Sequence, residues 1–420
     1  MNLFLYNLII WLLIPFALLK LLYRSLTQPE YLNFWQERLA IYHSHQDTVS
    51  LTKTLWIHCV SLGETNAAIP LIKMVIREHP DIKILLSHGT LTGRKAFIST
   101  SKKIERCYLP FDSRGAVIRF LDHYQPTMGI IIETEIWPNL IHQCNLKRIP
   151  LFLVNARLSE KSLIQYMRYK NFISRCLNKI NHIYVQSETD SKNFKKLTNQ
   201  SISIMGNLKF DACPPKGIVN KIKKLKSQLK IKKQFVIVVS STRVGEEEII
   251  LNYFKRINLR NIIVIIVPRH PERFNAVAKL FESYQLPYIR KSDSRKLISP
   301  PQYILGDSVG ELYEYYGLAS LVIMGGSIKN TGSQNVIEPM LLNRPIAVGS
   351  SIFNFKNIIE ESQKQDLIFR FSEIDELESI IFKLIKNKEL AENIRKKTNI
   401  FLKNNSGASK KILKLLNQYF

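Results

Sequence analysis

Two successive series of short apolar segments, each followed by a helix-like pattern, limit the folds that this chain can adopt. The first series is TLWIHCV, IKILLSH, MGIIIET, PLFLVNA, HIYVQS and SISIMG, and the second is FVIVVSS, NIIVIIVP, YILG, LVIMGG and PIAVGS. Near-continuous apolar runs rich in β-branched residues are typical of parallel strands covered on both faces. The alternation predicts an α/β protein of two Rossmann-like domains, with a ligand cleft between the carboxyl ends of their strands.

A lysine-rich segment at residues 216–234 separates the two series. A chain of 420 residues has the length of two ordinary domains. We therefore predict a first Rossmann-like domain over residues 26–215, a basic linker over 216–234 and a second Rossmann-like domain over 235–420.

The N-terminal residues 1–25 differ from the rest of the chain. Residues 3–19 are apolar apart from Asn7, and Lys20 and Arg24 follow. A signal peptide carries its positive charge before the apolar run, whereas here the charge follows it. The segment predicts a membrane anchor that leaves the rest of the chain in the cytoplasm, with a buried core helix as the alternative.

The chain is strongly basic, with 60 Lys and Arg residues against 34 Asp and Glu residues and a net charge of +26. Such a surplus favours a polyanionic partner: nucleic acid, an anionic membrane or a phosphorylated substrate. Compositional drift toward Lys, Asn and Ile is the alternative. Five scattered cysteines without a C-x-x-C spacing indicate a reducing compartment and no structural zinc.

The segment SLGET at residues 61–65 places a carboxylate between a predicted strand and a predicted helix. Ser61 and Glu64 have the Ser-x-x-Glu spacing of a capping box, which satisfies free N–H groups at a helix start. The same position lies at the carboxyl end of a parallel strand, where the helix dipole stabilises an ionised carboxylate. Glu64 is therefore either a helix cap or a general base toward a hydroxyl group.

Two further segments of the first half carry charged residues at predicted strand ends. In IIETEIWPN, Glu133 and Glu135 follow an apolar strand, and in GNLKFD, Lys209 follows the last strand of the series. An acid at a strand end is often only exposed, but two acids beside a tryptophan and a proline suggest a site. Lys209 is either a contact for an anionic substrate group or one more surface lysine.

The second half contains glycine-rich turns after predicted strands, in VPRHPERF (267–274), GDSVGELY (306–313) and MGGSIKNTGSQNVIEP (324–339). Glycine lets the backbone approach a ligand closely, and a helix start after Asn335 would attract phosphate. Arg269 offers a planar cation for a phosphate or a base, and Glu338 a bidentate acceptor for ribose hydroxyls. The Walker and GxGxxG motifs are absent from the sequence. These segments predict a site for a sugar nucleotide.

The ordered set of motifs resembles the Kdo transferases, the 3-deoxy-D-manno-octulosonic acid transferases of lipopolysaccharide assembly. The motifs are the N-terminal anchor, WIHCVSLGE, ETEIWPNL, NARLS, GNLKFD, STRVGEEE, PRHPERF, GDSVGELY and GGS…GSQNVIEP, and they run to about Phe355. The resemblance implies a GT-B glycosyltransferase that is inverting and needs neither a metal nor another cofactor at the catalytic centre. It implies CMP-Kdo as donor, a lipid A precursor (lipid IVA) as acceptor and the cytoplasmic face of a bacterial inner membrane as the location.

The resemblance also implies roles for individual residues. Glu64 matches the general base of the family, and Glu133 and Lys209 match positions assigned to transition-state stabilisation. The segments that match CMP-binding positions comprise Pro268, Arg269, Val309, Gly310, Glu311, Asn335, Val336, Ile337 and Glu338.

This sequence departs from the family at two places. A histidine is usual in the stretch that here contains Arg243 and Val244, and another where Gln334 stands. Glutamine still donates a hydrogen bond to phosphate, but it does not become cationic. We expect altered donor affinity or pH dependence and an unchanged reaction type.

Two other functions remain open from the residues. One is a GT-B enzyme, or an epimerase of that fold, that uses a different sugar nucleotide. The other is a basic, membrane-tethered nucleic-acid-binding protein, which would interleave Lys and Arg with stacking aromatic residues. The basic segment 216–234 lacks that interleaving, so we expect no nucleic acid partner.

Overall fold

A computed structural model of the chain describes residues 2–42, 53–96, 103–257 and 260–419, with the side chains of residues 295 and 296 left out. Within these residues the chain forms two compact units. The first unit comprises Met1–Ala212 and Asn405–Phe420, and the second comprises Cys213–Asn404.

The described strands and helices alternate along most of the chain. The strands are β1 (Thr54–Cys59), β2 (Lys83–His88), β3 (Ile104–Tyr108), β4 (Met128–Ile132), β5 (Leu151–Ala156), β6 (His182–Val185), β7 (Ile202–Ile204), β8 (Phe235–Thr242), β9 (Ile262–Pro268), β10 (Tyr288–Arg290), β11 (Tyr303–Leu305), β12 (Leu321–Met324), β13 (Ile346–Val348) and β14 (Ile368–Arg370). The helices are α1 (Leu3–Ser25), α2 (Leu62–Glu78), α3 (Leu91–Ala96), α4 (Arg114–Tyr124), α5 (Pro138–Leu146), α6 (Glu160–Met167), α7 (Lys170–Leu177), α8 (Glu188–Lys195), α9 (Ile218–Gln228), α10 (Glu246–Arg256), α11 (Phe274–Ser283), α12 (Leu312–Leu318), α13 (Ile337–Met340), α14 (Lys356–Lys364), α15 (Glu376–Lys386), α16 (Lys388–Asn405) and α17 (Ala408–Leu416).

Each unit contains one parallel sheet of seven described strands. The order in the first unit is β3-β2-β1-β4-β5-β6-β7, and in the second it is β10-β11-β9-β8-β12-β13-β14. The chain direction across the sheet reverses between β1 and β4 in the first unit and between β8 and β12 in the second. In open α/β sheets, ligands bind outside the carboxyl ends of the strands at such a reversal. The predicted α/β class is confirmed. Ligand sites are therefore expected at the carboxyl ends of β1, β4, β8 and β12.

Apolar side chains cover both faces of the first sheet. One cluster contains Trp56, Phe120 and Phe172, and a second contains Ile57, Leu71 and Ile130. Alternate residues of β1 thus enter opposite clusters, as the period of a strand requires. A Cβ on Gly129 of β4 would lie 2.6 Å from the Trp56 ring, so only glycine fits beside this tryptophan.

The unit boundaries differ from the predicted domains at both ends of the second unit. Residues 218–228 form α9, which packs on α12 through Ile222 and the buried Leu225. The predicted linker therefore contains an amphipathic helix of the second unit. Helix α17 belongs to the first unit, where Ile412 and Leu413 join the core beside α2. Gly407 and Ser409 donate backbone hydrogen bonds of 2.5 Å each to Asp211, which fix the start of this helix.

Candidate active site

Glu64 follows β1 and lies in the first turn of α2, at the reversal of the first sheet. Its carboxylate accepts hydrogen bonds from the Val60 backbone N–H at 2.6 Å and from the Ser61 hydroxyl at 2.7 Å. Ser61 is the N-cap residue and accepts in turn from the Glu64 N–H, so the predicted helix cap is present. The side chain is 8% exposed, and each carboxylate oxygen keeps a second lone pair for a ligand.

The pKa of Glu64 is raised above its ordinary value. Burial is the largest cause, and the negative charge of Glu133 adds to it. The hydrogen bond from Ser61 and the positive charge of Lys209 act in the opposite direction. A carboxylate with a raised pKa is a stronger base, which suits the removal of a proton from a hydroxyl group.

Glu133 follows β4, the strand that pairs with β1. Its backbone has a φ of 64°, a left-handed conformation that a residue with a side chain adopts at a cost of about 1 kcal/mol or more. Its N–H donates to Val154 of β5 at 2.8 Å. The chain therefore changes direction at Glu133, after the end of β4. The Glu133 carboxylate accepts a hydrogen bond of 2.9 Å from the Lys209 ammonium.

Lys209 lies on a 3-10 turn, Leu208–Asp211, after β7. The Asn207 side chain caps this turn by accepting from the Lys209 N–H at 2.9 Å, and Asn155 accepts from the Leu208 N–H at 3.0 Å. Capping side chains thus fix the backbone at Lys209, and its ammonium is hydrogen-bonded to Glu133. Lys209 therefore differs from an ordinary surface lysine.

Glu135 completes a group of three acids in the first unit. Burial, followed by the charges of Glu64 and Glu133, raises the pKa of Glu135 to about 7. The structure therefore brings Glu64, Glu133, Glu135 and Lys209 into one electrostatic cluster at the carboxyl edge of the first sheet. Among the described residues of the chain, no group of three or more His, Cys, Asp or Glu side chains could hold a metal ion.

In the second unit, two of the predicted donor-binding segments follow β9 and β11, which are neighbours in the sheet. Pro268 ends β9 and Arg269 follows it, while Val309, Gly310 and Glu311 lie between β11 and α12. The Arg269 N–H donates to Thr242 of β8 at 3.1 Å. Gly310 has a φ of 81°, and Val309 beside it is 75% exposed. Residues 309–311 therefore form a turn with an exposed tip after the carboxyl end of β11.

Glu311 is anchored by Lys291, whose ammonium donates a hydrogen bond to the carboxylate. Burial alone would raise the pKa of Glu311, but the hydrogen bonds from Lys291 and Ser308 outweigh it and the pKa is lowered. Glu311 is therefore a stable anion at neutral pH.

The glycine-rich turn after β12 depends on a buried acid that the sequence analysis missed. Glu246, at the start of α10, is fully buried. Its carboxylate accepts from the N–H groups of Arg243 (2.8 Å), Gly326 (2.7 Å), Ile328 (3.0 Å) and Lys329 (3.2 Å). Position 325 requires glycine, because a Cβ there would lie only 2.5 Å from the Ser241 carbonyl oxygen. The end of β12 is thus fixed to the end of β8 by one side chain.

The residues from Asn335 to Glu338 form a compact polar turn. The Asn335 side chain donates to Glu338 at 3.2 Å and accepts from the Ile337 N–H at 3.1 Å. Burial raises the pKa of Glu338, while the hydrogen bond from Asn335 and the charge of Arg269 lower it. Helix α13 begins at Ile337, so the predicted helix start after Asn335 is present, but the helix has only four residues and therefore a small dipole.

The two departures from the family lie in the second unit as well. Arg243 contacts His270, with 2.8 Å between the Arg243 Nη1 and the His270 Nε2 atoms. Burial and the charge of Arg243 lower the pKa of His270, so its ring is neutral and accepts this hydrogen bond. Gln334 is half-buried, and its N–H donates to the Gly325 carbonyl at 3.1 Å.

Comparison with known proteins identifies relatives over most of the chain. Residues 33–212 match the family of 3-deoxy-D-manno-octulosonic-acid transferases, or kdotransferases. The chain is 32% identical over 401 residues to the 3-deoxy-D-manno-octulosonic acid transferase of Haemophilus influenzae, across 94% of this chain and 93% of the relative. It is 28% identical to the protein of the same name from Rickettsia bellii, across 99% of both chains.

Solved structures share the fold at low sequence identity. A glycosyltransferase from Rickettsia africae has a TM-score of 0.59 at 12% identity, covering 88% of this chain and 99% of its own. The UDP-GlcNAc 2-epimerase from Neisseria meningitidis has a TM-score of 0.57 at 15% identity, covering 87% and 100%. These similarities concern the fold alone, and they confirm the GT-B class. Given the 32% identity to a relative aligned over nearly its whole length, the chain belongs to the 3-deoxy-D-manno-octulosonic acid transferase family.

Proposed function

We propose that the protein transfers Kdo from CMP-Kdo to a lipid A precursor, lipid IVA, with inversion at the anomeric carbon. Membership of the family supports the donor and the reaction. The observation that carries the proposal is Glu64, a nearly buried carboxylate with a raised pKa at the reversal of the first sheet. A hydroxyl acceptor needs such a base.

The reaction is a single displacement. Glu64 takes the proton from a glucosamine hydroxyl of the lipid, and the hydroxyl oxygen forms a bond to the anomeric carbon of Kdo. The bond between that carbon and the phosphate oxygen breaks, and CMP leaves with the electron pair. Lys209, held by Glu133, supplies a positive charge for the carboxylate of the reacting sugar acid in the transition state.

The second unit holds the donor in this proposal. Arg269 binds the phosphate, while Glu246 keeps the glycine-rich turn after β12 in place. Glu338, which receives a hydrogen bond from Asn335, accepts from the ribose hydroxyls. Val309, Gly310 and Glu311 form the exposed turn that contacts the cytidine.

We assign the protein to the cytoplasmic face of the bacterial inner membrane. Helix α1 is long and apolar enough to enter a membrane. The net charge of +26 favours an anionic lipid surface, since each basic residue near such a surface contributes roughly 1 kcal/mol. A phosphorylated, acylated acceptor would lie in that surface.

The decisive experiment is a transfer assay with detergent-solubilised protein, freshly generated CMP-Kdo and a tetraacylated lipid A precursor. Mass spectrometry of the lipid reads the product. Lipid heavier by one or more Kdo units supports the proposal and counts the units added. Unmodified lipid from folded protein would contradict it, and competition by UDP instead of CMP for donor binding would then favour another sugar nucleotide.

A further inference from the structure

The start of helix α1 is hydrogen-bonded to the globular part of the first unit. The Tyr6 hydroxyl donates to the Asp112 carboxylate at 2.8 Å, and the Asn139 side chain donates to Asn7 at 2.7 Å. Leu3 and Tyr6 also pack against the core cluster around Phe172. Asn7, the exception in the apolar run, is therefore used to fix the helix to the domain.

Asp112 and Asn139, which hold the start of α1, are themselves fixed by further hydrogen bonds. Asp112 is almost fully buried, and its two oxygens also accept from the N–H groups of Asn139 (3.0 Å) and Leu140 (2.9 Å) at the start of α5. Asn139 is fully buried and donates to the Asp112 carbonyl oxygen as well. We call Tyr6, Asn7, Asp112 and Asn139 the helix clasp.

The chain that follows α1 is fixed to the same unit by a separate set of contacts. Glu30 pairs with Lys95 of α3 at 2.7 Å. Glu37 binds Arg94 with both oxygens and accepts from the Tyr108 N–H at 2.7 Å. Arg38 donates to the Gly89 carbonyl oxygen after β2 at 3.1 Å. The start of α1 and the segment that follows its end are thus held by one sheet and its helices.

These two attachments are incompatible with a spanning helix. From Asn7 to Ser25 the helix rises about 27 Å over 18 residue steps, close to the roughly 30 Å of a bilayer core. If α1 spanned the membrane, Asp112 and Asn139 would lie on one side and Lys95 and Gly89 on the other. All four belong to the same compact unit. We propose that α1 lies in the plane of the membrane, clasped to the domain, as a monotopic anchor.

The exposed surface of α1 fits an anionic phospholipid bilayer. Its half-buried positions include 3, 7, 10, 14, 17 and 21, a helical spacing that defines one partly covered face. The remaining surface exposes Phe4, Trp11 and Phe16, and Lys20 and Arg24 follow at its end. Aromatic and basic residues of this kind anchor helices at the boundary between head groups and acyl chains.

The depth of three spin labels along α1 tests the inference, which rests on the membrane association within the proposed function. Leu5→Cys, Leu12→Cys and Leu19→Cys are placed singly in full-length protein that carries Cys213→Ser, the other cysteines being buried. The protein is reconstituted in vesicles of phosphatidylethanolamine and phosphatidylglycerol. Sites seven residues apart share a helix face and differ by about 10 Å along the axis. An in-plane helix gives three equal depths, whereas a spanning helix places Leu12 about 10 Å deeper than the other two.

A second measurement reads the side of the membrane directly. Asn2→Cys, at the start of α1, and Lys192→Cys, on exposed α8, are labelled with a membrane-impermeant maleimide in sealed vesicles. Labelling of both from the same side supports the in-plane anchor, and labelling from opposite sides overturns it. The transfer assay is also run on each variant. An enzyme that uses a different donor would show no Kdo transfer, but its spin-label depths and its maleimide labelling would still report the position of α1.

Discussion

The Lys209 ammonium donates a 2.9 Å hydrogen bond to the carboxylate of Glu133, and both groups act on the pKa of Glu64 in opposite directions. The charge of Glu133 raises this pKa and the charge of Lys209 lowers it. The pair thus tunes the basicity of Glu64 through its two opposite charges.

Glu64→Gln should reduce Kdo transfer by a factor of about 10² to 10⁴, the usual contribution of general base catalysis. The amide keeps acceptor and donor capacity for the helix cap but does not take up a proton. Steady-state transfer kinetics measure the loss, and calorimetric titration with CMP checks that donor binding is retained. Near-normal turnover would contradict the role of Glu64 as the base.

Glu133→Gln and Lys209→Met should shift the acidic limb of the kcat/KM profile in opposite directions. Removing the negative charge of Glu133 lowers the pKa of Glu64, so activity begins at a lower pH. Removing the positive charge of Lys209 raises it, so activity begins at a higher pH. The pH profile of each variant gives the shift, and exposed Lys161→Met serves as the control with an unchanged profile. Shifts of the same sign would refute the arrangement.

Glu246→Gln should destabilise the second unit and weaken donor binding. The amide replaces an acceptor oxygen with a donor group, so at least one buried N–H loses its partner at a cost of about 1–3 kcal/mol. The affected groups include Gly326, so the glycine-rich turn would loosen. Urea unfolding and CMP titration measure the two effects. The matched control is Glu248→Gln on the same helix, whose side chain is exposed and which should change neither quantity.

Asp112 makes the stability of the first unit depend on pH. Burial raises the pKa of Asp112 to about 7 in the folded protein, against an ordinary value of about 3.9 in the unfolded chain. The folded state therefore holds this proton more tightly, and the associated stability is complete below about pH 4 and lost as the pH rises through about 7.

Asp112→Asn should flatten this dependence. The difference of about three pKa units corresponds to an upper limit of about 4 kcal/mol. Thermal unfolding in detergent from pH 4 to 8 should show a smaller decline in Tm for the variant than for the parent, whatever their absolute values. An equal decline in both proteins would show that Asp112 does not titrate in this range.

The sequence predicts the central strands well and the sheet edges poorly. Strands β1, β4, β8 and β12 are continuous apolar runs, because both of their faces are buried. The edge strands β3, β10 and β14 were not predicted. β3 contains Glu105 and Arg106, and the other two have three residues each and are only partly buried.

The candidate site shows the same division between local and tertiary information. Glu64 and Glu133 were identified because each follows an apolar strand, and adjacent strands bring them together. Glu246 was missed because an acid in the first turn of a helix is common, and its four N–H partners come from the turns after β8 and β12. Helix α17 was assigned to the second domain because chain order alone does not reveal that it returns to the first unit.

The return of α17 to the first unit has a consequence for biosynthesis. Residues 213–404 form a contiguous unit that can complete its core as soon as they leave the ribosome. The core of the first unit includes Ile412, Leu413 and Leu416, which are synthesised after the second unit. The first unit, whose synthesis begins first, therefore completes its core after the second unit. Until α17 has been synthesised, the apolar surface of α2 that it covers stays exposed.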